Sequence, residues 1–467
     1  MLRRREFLRV LPWVITSGVL MMLLSLYCGW LDPFFWAAQH AHVQGIDYFA
    51  LPKSFLNLLE HRSAYDTWGG RVYGPYATWY LAHPLFSVLV MPLFAFLPPW
   101  LSYVVFVFFS LMIMTYCGHL YAKNAPVDEK IYYYAFFLLA FPVYWMLYVG
   151  NMHAPLVLSL ALILLALYEL AFVSESSKPL HQKLLLGLLI SFFTKPVVIL
   201  LLPALLIVPE TRKTTLIALV VYCLGSLIVF VLPWTNPESM GWAKRFAVMF
   251  DVHYIKENMN IYKNQYILNS EMKDNVIHWL NLIAQSGYRF NHIENFSFPV
   301  FLDGLFQRAL PGYIYFLPLG YCQLLALGLF AINSSKQRLE LLLWLTMLSS
   351  TSYFLSYNTI WEYQYTSMLP IVAILFRIRK TTFMSHMHMT VLLFAGLFYY
   401  LPSFYCILDK RHIDTSFISM LRVSRIAATM TLYTLMSYGV SRHLVQAFKQ
   451  LNWLAPVVPL TNKDLLS

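Results

Sequence analysis

Long apolar blocks constrain this chain more than any other feature of its sequence. The blocks run for about 17–25 residues, the length that a helix needs to cross the hydrocarbon core of a bilayer. Runs such as 156–172 and 216–232 do not alternate between apolar and polar residues, so they predict helices rather than barrel strands. Only 12% of the residues are charged, against about 25% in soluble domains. The sequence therefore predicts an all-α, polytopic membrane protein.

The blocks predict about 12 transmembrane helices, within a range of about 10–13. They lie near residues 11–30, 80–97, 100–121, 131–149, 152–172, 184–208, 214–234, 313–332, 340–357, 366–378, 389–408 and 416–440. An even number of spans puts both termini on one side, and the positive-inside rule makes that side cytoplasmic, because arginines precede the first block. The same side receives the most basic short loops, which contain Arg212/Lys213, Lys336/Arg338 and Arg377/Arg379/Lys380, and the tail from Arg442 to Lys449. We interpret the first block as a retained signal anchor, since it is too long for a cleaved signal peptide.

Two long segments, 31–79 and 235–312, face outward in this topology. Both are rich in aromatic residues, which indicates that they lie at the membrane interface. We find no tandem repeat and no second soluble domain in the sequence. We therefore treat 1–467 as a single integral membrane domain, in which 11–234 holds the first helices and the first outward loop. Residues 313–467 contain the C-terminal helices and the tail.

The formal net charge of +11 does not indicate nucleic acid binding, because the basic residues lie mainly beside apolar blocks. Each of the five cysteines lies in a different apolar segment, with no spacing typical of a metal site or redox pair. The sequence contains no P-loop, no Cys-x-x-Cys, no His-Glu-x-x-His and no Gly-x-Ser-x-Gly motif. Polar residues near membrane depth are therefore the candidates for function.

Ionisable residues near membrane depth are costly and are functional candidates for that reason. Asp47 lies in the first outward segment, where a carboxylate accepts the proton of a hydroxyl nucleophile; the alternatives are a solvated loop residue and a helix N-cap. Lys195 lies within an apolar block before Pro196. It either snorkels to the interface or lines a polar pocket and faces a lipid-linked phosphate.

Further candidates lie at the ends of predicted helices. His83 and Tyr73 belong to a loop rich in Pro and Gly that enters the second helix, where a structural role is the alternative. Asn151 and His153 begin a helix, and capping is the alternative for Asn151.

Two more candidates lie in the C-terminal half. Arg308 precedes the eighth block, with an interfacial anchor as its alternative. Glu362 stands in an aromatic stretch after the ninth block, and an aromatic belt explains its neighbours but not the carboxylate.

The order of six sequence patches resembles glycosyltransferase family 87, within the C-superfamily of membrane glycosyltransferases. The patches are Gly45-Ile-Asp-Tyr-Phe with Ala64-Tyr-Asp, Tyr73-Gly-Pro-Tyr with Met91-Pro-Leu-Phe-Ala-Phe-Leu-Pro, Gly150-Asn-Met-His, Thr194-Lys-Pro, Asn295-Phe-Ser-Phe with Arg308, and Ser356 to Tyr365 with Pro370. They cover roughly residues 40–370. Four positions depart from the family pattern: Asn151 replaces a Gln, His153 replaces an Asn, and Tyr363-Gln364 replaces a His-His pair. These departures predict a donor or acceptor preference that differs from that of the better-known mannosyltransferases of the family.

The resemblance implies a hexosyltransferase that takes its sugar, with mannose favoured, from a polyprenyl-phosphate-linked donor. The acceptor would be a lipid or a glycan on the extracytoplasmic face, and we expect a bacterial inner membrane. Asp47 would be the catalytic base in an inverting single displacement, and Lys195, Arg308 and His83 would stabilise the phosphate that leaves.

The remaining candidates, Asn151, His153, Glu362 and Tyr73, would contribute to substrate binding. We expect no cofactor and no nucleic acid partner, whereas membrane lipids are expected partners. A divalent metal is not favoured, because the sequence shows no dense carboxylate cluster near Asp47, with Asp66 as the one candidate for a second ligand.

Three other functions stay open at this point. A transporter or lipid flippase shares the layout of twelve helices with both termini inside, although the sequence lacks two-half symmetry and has a long outward segment in mid-chain. A polymerase or ligase of lipid-linked glycans would share the outward loops and basic residues. A membrane scaffold would explain neither Asp47 nor Lys195.

Overall fold

Helices account for all the regular secondary structure of the part of the chain that the computed structural model describes. The described residues are 2–28, 44–59, 64, 72–75, 82–173, 177–195, 197–231, 297–306, 308, 310–357, 360–400 and 415–450. No strand occurs among them, which confirms the predicted all-α class. Most of the predicted outward segments, 31–79 and 235–312, lies outside the described residues.

The first half of the chain contains eleven described α-helices. These are α1 (Leu2–Tyr27), α2 (Ala50–Leu59), α3 (Pro84–Val90), α4 (Pro92–Ala95), α5 (Pro99–Ala122), α6 (Lys130–Leu138), α7 (Phe141–Val149), α8 (His153–Phe172), α9 (Ser177–Phe193), α10 (Leu202–Ile207) and α11 (Pro209–Val231). A 3-10 helix, Val197–Leu201, leads into α10.

The described remainder contains six more α-helices. These are α12 (Phe298–Phe306), α13 (Gly312–Leu327), α14 (Ser335–Ser356), α15 (Leu369–Ile378), α16 (His386–Leu397) and α17 (Thr415–Gln450). The 3-10 helix Gly328–Ala331 follows α13, and the 3-10 helix Glu362–Met368 precedes α15.

Three described helical stretches are long and apolar enough to cross a membrane, namely Pro99–Ala122, His153–Phe172 and Tyr313–Ala331. The bent pair α6 and α7, which meet at 45°, makes a fourth if it counts as one span. The structure thus supports three to four spans by length and composition, and it does not confirm the predicted 12.

Proline explains why several predicted spans are not single helices. The block 80–97 is divided into α3 and α4, each of which has Pro at its start. The block 131–149 bends before Pro142, and the block 184–208 is interrupted at Lys195, immediately before a proline. Proline lacks the N–H that the helix ladder needs and clashes with the preceding turn.

Helix α8 forms the centre of the described helices. It is apolar on every face, and 78% of its membrane-length window is buried, against 28% for Tyr313–Ala331. Gly187 lets α9 approach it closely, since a Cβ there would lie 2.8 Å from Ile163 Cγ1 and 2.9 Å from Ser159 O. The Ser159 hydroxyl donates to Gly187 O at 2.7 Å.

The long helices connect two chemically different ends of the bundle. Helix α8 has 20 residues, which corresponds to about 30 Å. At one end lie the interruptions of the chain, including the turn 44–49 and the 3-10 helix Glu362–Met368. At the other end lie ion pairs, formed by Arg338 with Glu210, Arg379 with Glu129, and Lys183 with Glu169. Arg338 and Glu210 lie in loops that the sequence predicts on one side of a membrane. Arg379 and Glu129 lie in loops that the alternation of the 12 blocks predicts on opposite sides, so their pairing disagrees with that alternation.

Candidate functional site

The turn 44–49 is fastened to the break between α7 and α8. Gly45 N donates to Tyr148 O at 2.7 Å, and Asp47 N donates to Val149 O at 2.9 Å. Gly45 and Gly150 have φ of 75° and 70°, which side-chain-bearing residues rarely adopt. The two glycines therefore allow two irregular backbone segments to pair, and this pairing determines where Asp47 lies.

Aromatic side chains support this pairing from behind. Tyr48 is fully buried, and its hydroxyl bonds the hydroxyl of Ser102. The Tyr103 hydroxyl donates to Leu147 O and Tyr148 O, at 2.9 Å each. These bonds satisfy carbonyl groups at the end of α7 that have no partner within the helix. The Asp47 turn consequently rests on packed α5 and α7.

A hydrogen-bonded chain of side chains begins at Asp47. Asn151 Nδ2 donates to Asp47 Oδ2 at 2.8 Å. Asn151 Oδ1 in turn lies 2.7 Å from His153 Nδ1. The His153 ring packs edge-on against the Tyr363 ring, with centroids 5.0 Å apart. Asn151 and His153 are buried, whereas Asp47 is partly exposed.

Lys195 brings a positive charge to the same place. Its Nζ lies 5.9 Å from the centroid of the Tyr363 ring, and its charge acts on both Asp47 and His153. The α9 end is stabilised by Ser191, whose hydroxyl donates to Lys195 O at 3.0 Å. We call Asp47, Asn151, His153, Lys195 and Tyr363 the site cluster.

The site cluster keeps its cation and its carboxylate apart. Among the described residues, Lys195 forms no direct ion pair with Asp47, although their charges interact. Burial raises the pKa of the Asp47 carboxyl above its ordinary value, while the Asn151 hydrogen bond and the Lys195 charge act in the opposite direction. A carboxylate with a raised pKa is a stronger base near neutral pH. The arrangement suits proton removal beside a group that becomes negative.

Two predicted candidates have their described contacts elsewhere. His83 is buried as the N-cap of α3, where its Nδ1 accepts from Leu85 N at 3.1 Å and its Nε2 lies 3.0 Å from Ser226 Oγ. Tyr73 is buried, and its hydroxyl donates to Phe94 O at 3.1 Å and Leu97 O at 3.0 Å. These contacts match the structural alternatives for both residues.

The other two candidates are less closely defined. Arg308 is exposed beyond the end of α12. The backbone of Glu362 begins the 3-10 helix Glu362–Met368, and its side chain lies outside the described part of the structure. Within the described residues, no three His, Cys, Asp or Glu side chains group together as metal ligands do.

Sequence reasoning missed two notable residues. Tyr363 joins the site cluster, although the sequence named it only as part of a departure from the family's His-His pair and not as a site residue. Arg425 is buried inside a predicted span, and its guanidinium lies 5.4 Å from the centroid of the Tyr365 ring. Tyr365 in turn stacks on Tyr399, with centroids 5.4 Å apart. The rule that marks ionisable residues within apolar blocks applies equally to Arg425.

Comparisons with protein-family models, curated proteins and solved structures find no match for this chain.

Proposed function

We propose that this chain is a membrane glycosyltransferase that moves a hexose, mannose first among the candidates, from a polyprenyl-phosphate-linked donor to a lipid or glycan acceptor. The convergence of the site cluster carries this proposal. Four of the six sequence patches supply its members, although 104 residues separate Asp47 from Asn151 and the others lie still further along the chain. A carboxylate base and a cation close to it are the groups that such a transfer requires.

The surface of the helices supports a membrane location. One face of α5 is buried, yet the opposite face exposes large apolar side chains. These are Leu101, Val105, Phe108, Met112 and Tyr116. A stripe of α11 exposes Leu216, Ile217, Val220, Val221, Leu224 and Leu227. Helices that are apolar on both faces suit lipid better than water.

The proposed topology extends this location to the whole chain. We propose about 12 spans, some of them broken by proline, with both termini in the cytoplasm. For Asp47 and Asn151 to share one end, as their hydrogen bond requires, the block 80–97, which is broken into α3 and α4, would not cross the membrane. The block 184–208, which is broken at Lys195, would then cross it twice, and the ion pairs involving Glu129, Glu169 and Glu210 would lie at the cytoplasmic end. The site cluster lies at the other end of the same helices and would face outward, in a bacterial inner membrane.

The proposed reaction is a single displacement. The free oxygen of the Asp47 carboxylate takes the proton of the acceptor hydroxyl while that oxygen attacks the anomeric carbon. The bond between the anomeric carbon and the phosphate oxygen breaks, and the polyprenyl phosphate leaves with its electron pair. Lys195 stabilises the negative charge that develops on this phosphate. Attack opposite the leaving group inverts the anomeric centre.

Sugar transfer in membranes that contain the protein tests this proposal. The donor is a labelled polyprenyl-phosphate hexose, with mannose tried before glucose. We expect transfer by the wild type, and a loss of about 10²–10⁴-fold for Asp47→Asn, the range of general base catalysis. Lys195→Met should also lose activity, whereas Lys213→Met, which removes an exposed lysine at the opposite end, should not.

Immunoblotting confirms that all four proteins are present at equal levels. Transfer that persists in Asp47→Asn would move the base to another residue. Absence of transfer from every donor, together with uptake or flipping of a labelled substrate, would instead identify the chain as a transporter or flippase.

A further inference from the structure

The hydrogen bonds around Asn151 determine which way its amide points. An ionised carboxylate only accepts hydrogen bonds. The atom of Asn151 that faces Asp47 Oδ2, at 2.8 Å, is therefore the Nδ2 donor. The amide oxygen must then face His153, and it lies 2.7 Å from Nδ1. An amide oxygen is an acceptor, so His153 carries a proton on Nδ1.

The same order of donors engages several of the polar groups that Asn151 and His153 would offer to a substrate. The amide oxygen of Asn151 is bonded to His153, and one N–H is bonded to Asp47. Both residues are buried, and the imidazole ring packs against the ring of Tyr363. These contacts argue against the substrate-binding role that the sequence suggested for the two residues.

As a consequence, the two carboxylate oxygens of Asp47 differ in their hydrogen bonding. Oδ2 is held by Asn151, and the backbone of Asp47 is held by Val149 O at 2.9 Å. Oδ1 has no hydrogen-bond partner among the described residues, and Asp47 is partly exposed. A carboxylate that is fastened at its backbone and at one oxygen presents the other oxygen in one direction. Such fixed geometry is what a catalytic base needs.

We propose that His153 and Asn151 are positioning residues, in which His153 orients the Asn151 amide, Asn151 anchors Oδ2 of Asp47, and Oδ1 is left to accept the proton. The role in proton transfer rests on the proposed function. The order of the hydrogen bonds does not rest on it, and it can be tested without a substrate.

A charge swap tests the hydrogen-bond order in the purified full chain. Asn151→Asp alone places two carboxylates face to face, so we expect its melting temperature to fall. In the double variant Asp47→Asn/Asn151→Asp, the new carboxylate accepts from Asn at position 47 and from His153 Nδ1. The double variant should therefore recover most of the loss. A double variant that melts at the temperature expected from adding the two single effects overturns the proposal.

Three substitutions of His153 test its role in transfer. In His153→Asn a side-chain N–H stands near the place of Nδ1, in His153→Gln it stands near Nε2, and His153→Leu has none. We expect kcat to fall about 10²-fold, the scale of a base displaced by 1 Å, in His153→Leu and His153→Gln. His153→Asn should retain most of kcat, and KM should change little in all three. As a control, His181→Leu removes a histidine at the opposite end, which bonds Thr214, and it should leave kcat unchanged.

The outcomes of the two experiments contradict different claims. A rise in KM with kcat unchanged would make His153 a substrate ligand and overturn the positioning role. If the wild type transfers no sugar, the proposed function fails, and the charge swap still decides the order of the hydrogen bonds. If Asn151→Asp does not fold, recovery of folded protein in the double variant is itself the expected result, and its absence contradicts the proposal.

Discussion

Gly150→Ala should strongly destabilise the protein. Gly150 ends α7 with φ of 70°, a left-handed conformation that costs a non-glycine residue about 1–2 kcal/mol. An added Cβ would lie 2.4 Å from Tyr48 Cβ and 3.3 Å from Tyr48 Cα. These atoms are next to the backbone and cannot rotate away, so overpacking adds about 1–3 kcal/mol. The total destabilisation is about 2–5 kcal/mol.

Thermal unfolding of the purified protein in detergent measures this effect, with Gly320→Ala as the matched control. Gly320 lies in the interior of α13, and an added Cβ there meets no atom within 4 Å. Alanine in a helix interior is favoured over glycine by roughly 0.5–1 kcal/mol, so this variant should melt at or above the wild-type temperature. The reasoning about the turn is refuted if the two variants melt at the same temperature.

Two further predictions concern pH. The proposed base must be ionised to act, so we expect transfer to be lost as pH falls through the pKa of Asp47, which burial raises and the Asn151 hydrogen bond lowers. Asn151→Leu should move this loss to higher pH, and an unmoved acidic limb of the kcat profile would contradict the assignment. At the opposite end, burial acts to raise the pKa of Glu210, but hydrogen bonds from Arg338, Ser335 and the backbone and the charge of Arg338 together outweigh burial, and the net pKa lies below the ordinary 4.5. Its contribution to stability is full above that value and lost as pH falls through the lowered pKa. Glu210→Gln should therefore lower the melting temperature at neutral pH and flatten its decline in acid, and an unchanged decline would exclude this pair as a cause.

Two of the long helices could be predicted from the sequence almost to the residue. The blocks 100–121 and 152–172 correspond to α5 and α8, which begin at Pro99 and His153 and end at Ala122 and Phe172. Each block is uniformly apolar and contains no proline beyond its first turn. Where no proline interrupts the helical hydrogen bonds, the length and hydropathy of an apolar block are sufficient to predict the bounds of its helix.

The broken spans could not be predicted in the same way, although their prolines were visible. Whether a proline kinks or ends a helix depends on which groups satisfy the backbone atoms that it releases. At the break after α9, Leu200 O accepts from Gln323 Nε2 at 2.8 Å and from Ser349 Oγ at 3.2 Å. These partners belong to α13 and α14, more than a hundred residues away, and no local pattern identifies them.

The candidate site was predicted as separate residues and not as a cluster. Asp47 and Lys195 could be named because charge near membrane depth is costly. Their association depends on Gly45 and Gly150, whose backbone conformations allow the turn to reach the end of α7. His83 satisfied the same criteria, yet its described contacts are those of a helix cap. Residue type and depth select candidates, whereas backbone geometry decides which of them meet.

The location of the site at helix interruptions has a physical reason in the proposed membrane setting. Irregular backbone at membrane depth is tolerated only where protein covers it or where it lines a cavity. The break at Gly150, the break at Lys195 and the 3-10 helix Glu362–Met368 each contribute to the site cluster. Three independent interruptions would be costly if they were scattered over a lipid-facing surface. Because the three interruptions lie together at one end of the bundle, they can satisfy one another's backbone polar groups. They also place polar groups where continuous helices would have none. The unbroken helices α5 and α8 hold these interruptions in register, as a rigid support does for a functional site.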